Sequence, residues 1–343
     1  MDTVFIIAEA GVNHNGDIKQ ACKLIDAAAE AGADAVKFQT FKSEKLVSKS
    51  ALKARYQTEN TADNDDSQLE MIKKLELRYE DFTQLKSYCD MIGIRFMTTP
   101  DESESADFIY DLVDVYKIGS GELTNIPYLK HIAAKGKPII LSTGMSFLGE
   151  VEAAVNAILQ TLPEINSSFP PLTLMHCTTD YPADYEDVNL KAMLTMKNAF
   201  NLPVGYSDHT MGIEISIAAA ALGATVIEKH FTLDKNMEGP DHKASLEPKR
   251  LKAMVTAIRN VEKAFSGDAL KKPTPNEMDM RLLIRKSLIA DRFLKAGTRL
   301  APDMFSIKRP GNGVQPSDLD KISGMTLLKD LPEDEMLTWK HLK

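Results

Sequence analysis

Short apolar runs alternate along this chain with longer stretches in which apolar residues recur every three to four positions. The short runs are typical of strands buried on both faces, and the longer pattern is typical of helices that bury one face. Eight strands are predicted from the short runs, at residues 4–8, 35–39, 95–98, 115–118, 138–142, 172–176, 203–206 and 226–229.

Helices are predicted between these strands, at residues 18–31, 79–92, 149–162, 190–200, 213–222 and 248–265. In the first of them, Leu24, Ile25, Ala28 and Ala29 form one apolar face, and Gly32 supplies a C-terminal stop. Eight alternations of strand and helix within about 230 residues are what a closed (β/α)8 barrel needs, and a doubly wound sheet of this length usually has fewer. The sequence therefore predicts an α/β fold with a TIM barrel, whose functional residues follow the strand ends.

A second, smaller domain is expected because the chain exceeds the length that one core usually supports. The barrel is predicted at residues 1–265 and a β-rich domain at 281–343, with strands at 287–290 and 305–308. Residues 266–280 lose the helical periodicity and contain Gly267, Pro273 and Pro275, which indicates a linker. About 60 residues fold alone only marginally, so we expect the small domain to dock on a barrel, its own or a neighbour's.

The segment 43–78 is longer than an ordinary connection between a strand and a helix. Its polar stretch, residues 58–67, indicates a mobile excursion or lid over the site.

Composition narrows the possible functions. Apolar residues make up 43% and charged residues 26% of the 343, as in ordinary globular proteins. The net charge of −8 offers no general attraction for polyanions, so nucleic acid is not an expected partner. No apolar run approaches the roughly 20 residues of a membrane span or forms a signal-peptide core, and we expect a cytoplasmic location. Cys22, Cys89 and Cys177 are too few and too scattered for a disulfide framework or a cysteine metal site.

His209 and His230 follow consecutive predicted strands, so in a parallel sheet both project from the same edge. Imidazole is the commonest metal ligand among side chains, and Glu9, Glu122 and Asp241 lie on comparable segments. One histidine at a strand end is more often a hydrogen-bonded loop residue. The hypothesis of a divalent cation therefore depends on the pair and its acidic neighbours together.

Lys37 and Lys117 lie inside otherwise apolar segments, where burying an ammonium group costs several kcal/mol unless an anion is near. Two lysines with serine, threonine and glutamine donors nearby indicate a site for phosphate, although each lysine can equally form a structural ion pair. Glu9 and Glu122 can transfer protons beside this site or serve as salt-bridge partners. The Gly119-Ser-Gly121 tripeptide alone is too weak a signal for nucleotide binding.

A series of motifs resembles the bacterial sialic acid (N-acetylneuraminate) synthase family, including the legionaminate synthases. The resemblance covers almost the whole chain and extends to the inserted Tyr56-Gln57 and residues 67–75. It rests on AEAGVNHNG (8–16), KFQT (37–40), KIGSGE (117–122), STGM (142–145), HCT (176–178), SDHT (207–210), EKHF (228–231), GPD (239–241) and KRPGNG (308–313).

The resemblance implies a TIM barrel followed by an antifreeze-like (SAF) domain, and a condensation of phosphoenolpyruvate with an open-chain N-acetylated hexosamine. Carbon 3 of phosphoenolpyruvate attacks the aldehyde, water adds at carbon 2, and phosphate leaves by C–O cleavage. The first expectation is N-acetylmannosamine as acceptor and N-acetylneuraminate as product. The alternative is a legionaminate synthase that uses 2,4-diacetamido-2,4,6-trideoxymannose.

The resemblance also implies roles for individual residues. His209 and His230 would ligate a divalent cation, Mn2+ or Mg2+, that polarises the aldehyde oxygen as a Lewis acid. The residues implied to hold phosphoenolpyruvate are Lys37, Thr99, Lys117, Ser120, Ser142 and Ser207. Those implied to hold the sugar or handle protons are Glu9, Gln39, Glu122, Tyr181 and Asp241.

Two further substrate contacts follow from the resemblance. Arg309 is expected to reach the sugar from the C-terminal domain of the partner subunit, which requires a domain-swapped homodimer. Thr179 stands where some relatives carry asparagine, and this departure affects the identity of the sugar more than the type of reaction.

Two other classes of function compete with this interpretation. In a Schiff-base aldolase, Lys37 or Lys117 would be the nucleophile, and borohydride would trap the substrate on the protein. The metal hypothesis instead predicts inactivation by EDTA that manganese reverses. A module that only binds carbohydrate is disfavoured because too many strand ends carry polar side chains, including the two buried lysines.

Overall fold

Eight parallel strands form one sheet in the computed structural model of this protein, which describes residues 3–61 and 67–343. Neighbouring strands follow the order β3-β2-β1-β8-β7-β6-β5-β4, and the outermost two, β3 and β4, also lie against each other, which closes the ring. The predicted TIM barrel is confirmed. Its strands are β1 Phe5–Gly11, β2 Ala35–Thr40, β3 Arg95–Pro100, β4 Tyr116–Ile118, β5 Ile139–Ser142, β6 Leu172–His176, β7 Val204–Asp208 and β8 Val226–His230.

The strand boundaries differ from the predicted ones at informative places. Strands β5 and β7 begin one residue after Pro138 and Pro203, because proline has no N–H for the ladder. Strands β1, β7 and β8 continue past their apolar runs into polar residues. Glu9 therefore lies inside β1, and His230 is the last residue of β8.

Helices cover the outside of the barrel. The first helix begins after Asp17, whose side chain accepts a hydrogen bond from the Lys19 amide, and ends at Gly32 with a positive φ of 81°. Its buried residues include Leu24, Ile25 and Ala28, as predicted. The helices are α1 Ile18–Ala31, α2 Ser43–Leu46, α3 Arg55–Asn60, α4 Gln68–Lys73, α5 Tyr79–Ile92, α6 Ser103–Phe108, α7 Ile126–Ala133, α8 Leu148–Leu159, α9 Lys191–Phe200, α10 Glu214–Ala221, α11 Pro248–Ala264, α12 Pro275–Ile284 and α13 Leu319–Ile322.

The long connection between β2 and α5 contains the three short helices α2, α3 and α4. Residues of α4 pack with residues from the ends of β1 and β2 in a cluster that we call the excursion cluster. Residues 62–66 of the predicted lid lie outside the described residues, and its mobility stays a prediction. The excursion cluster consists of Val12, Phe41, Met71, Ile72 and Leu75.

The chain divides into two compact units, Met1–Ser266 and Gly267–Lys343. In the second unit, β9 Ser287–Ala290 pairs antiparallel with β10 Phe305–Lys308 over a small core of its own. Helix α12 begins inside the predicted linker, where Thr274 and Glu277 form a capping box and Pro275 occupies the first turn. The assignment of residues 266–280 as a linker stays a prediction.

A search for membrane-spanning helices among residues 3–61 and 67–343 finds none with the necessary length and apolarity.

Candidate active site

The inside of the barrel changes from apolar to polar along the strands. Near the amino ends, the interior is filled by Ile7, Ala35, Met97, Val115, Ile140, Met175 and Val226. Two residues further along, the same face of each strand presents a polar or ionisable side chain, because the side-chain direction in a strand repeats every second residue. These side chains line one cavity at the carboxyl ends, and they are Glu9, Lys37, Thr99, Lys117, Ser142, Cys177 and Glu228.

Lys37 lies in the wall of this cavity and is almost fully buried. Its Nζ is 2.9 Å from Glu9 Oε2 and donates a hydrogen bond of 2.8 Å to Thr99 Oγ1. Glu228 Oε2 is 3.7 Å away. The ammonium group is therefore compensated by carboxylates of two neighbouring strands.

Lys117 occupies the opposite side of Glu228. Its Nζ donates a hydrogen bond of 2.7 Å to Ser142 Oγ and lies 3.6 Å from Glu228 Oε1. The same Glu228 oxygen accepts a hydrogen bond of 3.0 Å from Ser207 Oγ. Two ammonium groups and one hydroxyl group thus meet at one carboxylate, an arrangement that also suits a phosphate or carboxylate ligand.

The pKa values of two buried carboxyl groups, Glu9 and Glu228, are shifted in opposite directions. Burial raises the pKa of Glu9, and the nearby charge of Glu228 adds to this, although Lys37 opposes it. Burial also acts to raise the pKa of Glu228, but the ammonium groups of Lys117 and Lys37 outweigh it and hold that pKa below its ordinary value. Glu9 is therefore the one of these two carboxyl groups that holds a proton more readily.

His209 and His230 line the same cavity, with ring centroids 5.6 Å apart. Nδ1 of His209 lies 2.6 Å from the carbonyl oxygen of Thr178, to which it donates, so Nε2 is left with its lone pair 3.3 Å from Ser207 Oγ. Nδ1 of His230 is buried without a hydrogen-bond partner and lies 3.8 Å from Asp241 Oδ2. Burial lowers the pKa of both imidazoles, which favours the neutral form.

This donor set fits a divalent cation that is completed by water or substrate. Two neutral imidazoles, one with a fixed tautomer and one with an unpartnered nitrogen, have the chemistry of first ligands. Among the residues that the structure describes, no group of three or more His, Cys, Asp or Glu side chains is arranged to hold a metal alone. The assignment of manganese or magnesium to His209 and His230 stays a prediction.

A second cavity of similar size adjoins the first and shares its residues Gln39, Tyr181 and His230. Asp241 lines this second cavity, and burial raises its pKa to about 6. Gly11, with φ of 52°, brings the backbone so close that a Cβ there would lie 3.3 Å from Glu9 Oε1, 3.5 Å from Gln39 Nε2 and 3.6 Å from Asp241 Oδ2. These three polar groups therefore converge on one point.

Ser120, the remaining residue predicted to hold phosphoenolpyruvate, lies after β4, and the predicted substrate contact Thr179 lies after β6. Ser120 Oγ accepts a hydrogen bond of 2.9 Å from the Gly144 amide and lies 3.1 Å from Cys177 Sγ. A Cβ at Gly144 would collide with Thr179 Oγ1 and lie 3.0 Å from Ser120 Oγ and Cys177 Sγ, so these three side chains pack closely against the backbone at this point of the wall. Ser120 and Thr179 both line the main cavity.

The profile of the NeuB family matches residues 24–270, which is more than half of the chain. This chain belongs to the NeuB family. A SAF domain is matched at residues 285–343, in the second unit. The resemblance drawn from the motifs is therefore confirmed for both parts of the chain.

Relatives of this NeuB-family enzyme span its whole length. It is 50% identical over 338 residues to the N,N'-diacetyllegionaminic acid synthase of Campylobacter jejuni, covering 98% of this chain and 99% of the relative. It is 47% identical over 342 residues to the N,N'-diacetyllegionaminic acid synthase of Legionella pneumophila, covering 99% and 95%. The chain is thus an enzyme of the sialic and legionaminic acid synthase family.

A solved structure gives the same fold. The N-acetylneuraminic acid (sialic acid) synthetase of Leptospira borgpetersenii, crystallised with citrate, is 35% identical and matches with a TM-score of 0.69. The match covers 81% of this chain and 90% of that one. The arrangement of barrel strands described above is therefore shared with a sialic acid synthetase.

Two barrel residues predicted for the site of this NeuB-family enzyme, Glu122 and Asp241, are not among those that line its main cavity. Glu122 lies in a 3-10 turn after β4, accepts a hydrogen bond of 2.6 Å from Asn125 Nδ2, and lines a neighbouring surface cavity. The physical reason is that this turn directs Glu122 away from the barrel axis, whereas Ser120 in the same turn faces inward. Arg309 belongs to the second unit, and its contact with the sugar stays a prediction.

Sequence reasoning missed two ionisable residues of the cavity wall. No role was predicted for Glu228 of the EKHF motif. The alternation of side-chain direction in β8 nevertheless places it on the same face as His230, two residues later. Asp101 follows β3 and lines both cavities, and burial raises its pKa to about 7 against the opposing charge of Lys37. Nothing in the sequence around Asp101 distinguishes it from a surface acid beside Glu102.

Proposed function

We propose that this enzyme is an N,N'-diacetyllegionaminic acid synthase, which condenses phosphoenolpyruvate with 2,4-diacetamido-2,4,6-trideoxymannose and water to give the nine-carbon acid and phosphate. The observation that supports this acceptor is the identity of 50% and 47% with two synthases of that name over nearly the entire chain. Identity with the sialic acid synthetase of Leptospira borgpetersenii is 35%. The comparisons thus favour the alternative over the first expectation, N-acetylmannosamine.

Phosphoenolpyruvate is proposed to bind at the inner end of the main cavity. Its phosphate and carboxylate carry the negative charge that Lys37 and Lys117 require, and Thr99, Ser142 and Ser207 supply directional hydroxyl donors around them. An entering anion competes with Glu228 for the two ammonium groups. When the anion binds, Lys37 and Lys117 therefore exchange one negatively charged partner for another. The site therefore provides orientation and charge compensation for the departing phosphate.

The acceptor aldehyde is proposed to lie near His209 and His230. A divalent cation held by the two imidazoles would polarise the aldehyde oxygen as a Lewis acid. Glu9 lines the main cavity, accepts a hydrogen bond of 3.4 Å from Gln39 Nε2, and is proposed to pass a proton to or from the reacting oxygens. Gln39, Tyr181 and Asp241 are proposed to orient the sugar.

Assembly into a homodimer is proposed because it explains apolar side chains that one chain leaves exposed. Phe147 is 83% exposed and Met145 70% exposed at the carboxyl end of the barrel, and Leu283 is 64% exposed on α12. Runs of exposed apolar side chains within one unit, Phe147-Leu148 in the first and Leu282-Leu283-Ile284 in the second, are typical of interaction surfaces. In such a dimer, Arg309 of the partner subunit is proposed to contact the acceptor.

The experiment that tests this function compares two acceptors. The purified enzyme is incubated with phosphoenolpyruvate, manganese and either the diacetamido sugar or N-acetylmannosamine, and phosphate release and product mass are measured. We expect faster release with the diacetamido sugar. The Lys117→Met variant serves as the inactive control. Release with N-acetylmannosamine alone would restore the neuraminate assignment, and a borohydride-trapped adduct would support an aldolase.

A further inference from the structure

The second cavity has a volume of about 180 Å³ and opens into the main cavity beside His230 and Gln39. Asp101 and Tyr181 also belong to both linings, so a ligand held in the main cavity can extend into the second without leaving the protein. The volume corresponds to roughly six water molecules, which is enough for an acetyl and a methyl group.

Six apolar side chains form part of the wall of the second cavity, together with the polar Gln57 and Gln68. Helix α4 contributes Met71 and Ile72, and Leu75 follows it. These residues are at least nine-tenths buried and pack in the excursion cluster. The apolar side chains of the wall are Val12, Phe41, Leu46, Met71, Ile72 and Leu75.

The mouth of this cavity, which is the side that it shares with the main cavity, is polar and contacts the loop after β8. Asp241 lies at the mouth, and Tyr56 stacks near Tyr181 with ring centroids 5.2 Å apart. Asn60, at the end of α3, donates a hydrogen bond of 2.8 Å to the carbonyl oxygen of Pro240. Helix α3 is thereby held beside the loop that carries Asp241.

A polar mouth and an apolar wall suit a group with a polar link and a methyl end. A hydroxyl group pressed against the wall would lose its hydrogen bonds with water and gain none. An acetamido group can leave its N–H and C=O at the mouth and place its methyl against Met71 and Ile72. N-acetylmannosamine carries hydroxyls at carbons 4 and 6, whereas the diacetamido sugar carries an acetamido group and a methyl there.

We propose that the excursion cluster is the specificity-determining surface for the acceptor. The second cavity binds the 4-acetamido and carbon-6 methyl groups, and so selects the 6-deoxy sugar over its hydroxylated counterpart. This inference rests on the proposed function and adds the part of the chain that recognises the acceptor. One apolar group in a fitted pocket is worth about 10- to 200-fold in kcat/KM, so a selectivity in that range is expected.

The test compares two substitutions in the same helix. Met71→Gln places an amide of similar length in the cavity wall, and Leu69→Gln makes the same change at a buried α4 residue that is not among the cavity lining. We expect Met71→Gln to lower kcat/KM for the diacetamido sugar by about tenfold or more. The KM for phosphoenolpyruvate should change little, and Leu69→Gln should leave the ratio between the two acceptors unchanged.

A milder variant, Ile72→Val, keeps the comparison possible if Met71→Gln does not fold. It should lower the ratio of kcat/KM for the diacetamido sugar to kcat/KM for N-acetylmannosamine by a smaller factor. The inference is overturned if the wall variants affect both acceptors equally, or if Leu69→Gln shifts the ratio as much. No turnover of the diacetamido sugar by the unmodified enzyme would instead reject the proposed function. The two failures are therefore distinguishable.

Discussion

Glu228 is the carboxylate that lies between the two buried lysines, 3.6 Å from Lys117 and 3.7 Å from Lys37. Within the described part of the chain, no other carboxylate forms an ion pair with Lys117. Glu228→Gln is therefore expected to lower the free energy of unfolding by about 3–5 kcal/mol at neutral pH, because it leaves an uncompensated buried charge. Urea unfolding measures this loss, and added phosphate should recover part of it.

Asp208→Asn is the matched control for that substitution. Asp208 Oδ2 lies 3.0 Å from Lys229 Nζ, and both residues are fully buried, but this pair faces the outer helices, where Ser216 donates to Asp208. Phosphate should raise the melting temperature of Glu228→Gln more than that of Asp208→Asn or the unmodified protein. Equal shifts in all three would show that Glu228 does not compete with the anion.

Lys37, Lys117 and the histidine pair could be predicted from the sequence because charged or polar side chains interrupt or end apolar strands there. Glu228 interrupts β8 in the same way and was predictable. Asp101 was not, because its burial depends on how the loop after β3 meets the neighbouring strands. The pKa of such a residue follows from tertiary burial, which the local sequence does not encode.

The turn after β1 fixes the loop after β8. Asn13 Nδ2 donates to the carbonyl oxygen of Phe231 at 2.8 Å and to Ser245 Oγ at 2.9 Å, and Ser245 Oγ donates to the carbonyl oxygen of Asp241 at 2.6 Å. Asn13→Ala is expected to raise the KM for the acceptor about tenfold, because a lost buried hydrogen bond costs about 1–3 kcal/mol and loosens the loop that carries Asp241. Steady-state kinetics should show an almost unchanged KM for phosphoenolpyruvate.

Ile25→Val, in the core between α1 and the barrel, provides a variant of lowered stability that should leave both KM values unchanged. If Asn13→Ala raised the two KM values together, the turn would have a general structural role and no specific one at the acceptor.

His14 in the same turn gives the first unit a dependence on acidic pH. Burial lowers its pKa to about 4 from the ordinary 6.5, with Asp17 opposing and His242 adding to the shift. Because the folded pKa is the lower one, the unfolded chain takes up the proton first. This stabilising contribution is complete above about pH 6.5 and is lost as the pH falls towards 4.

Between pH 6.5 and pH 5, the unmodified protein should therefore lose about 1.5 kcal/mol more unfolding free energy than His14→Gln. Denaturant unfolding followed by circular dichroism at the two pH values measures the difference. Every other titrating group is common to both proteins, so parallel losses would mean that the pKa of His14 is not lowered by folding.

The eight strands were predictable because each contains a short run of apolar residues, which is the pattern of a strand buried on both faces. Helices α1 and α5 were predicted with the boundaries that the structure has, since 14 residues display the helical period over several turns. Helices α3 and α4 have six residues each and were not predicted. Helix α4 is stabilised by contact with Val12 and Phe41 from distant strand ends, which no local pattern reveals.

The two units differ in the size of the hydrophobic core that would stabilise each of them alone. The barrel unit has a continuous core between strands and helices, whereas the second unit has a small core around Leu288, Leu327 and Leu337. A unit of about 77 residues is near the size at which one core supplies only about 3–5 kcal/mol. Deletion of residues 281–343 is therefore expected to leave a folded barrel. We also expect that barrel to use the acceptor poorly, because the predicted Arg309 contact is lost.

The proposed exchange of Arg309 between subunits can be tested with two inactive chains. Lys117→Met removes a phosphoenolpyruvate contact from its own barrel, and Arg309→Ala removes the predicted contact to the partner's acceptor. A mixed dimer has one complete site if Arg309 acts on the partner subunit and none if it acts on its own chain. Random pairing at equal expression should therefore restore about a quarter of the unmodified activity, since half of the dimers are mixed and each has one working site.

Co-expression with two different affinity tags isolates the mixed dimer, and phosphate release with the diacetamido sugar is the measurement. Mixed dimers without activity would place Arg309 in its own chain's site, and full activity of Arg309→Ala alone would show that the residue is misassigned. A protein that sediments as a monomer would reject the exchange altogether. The acceptor site would then have to be completed by the barrel itself, with Gln39, Tyr181 and Asp241 as its polar contacts.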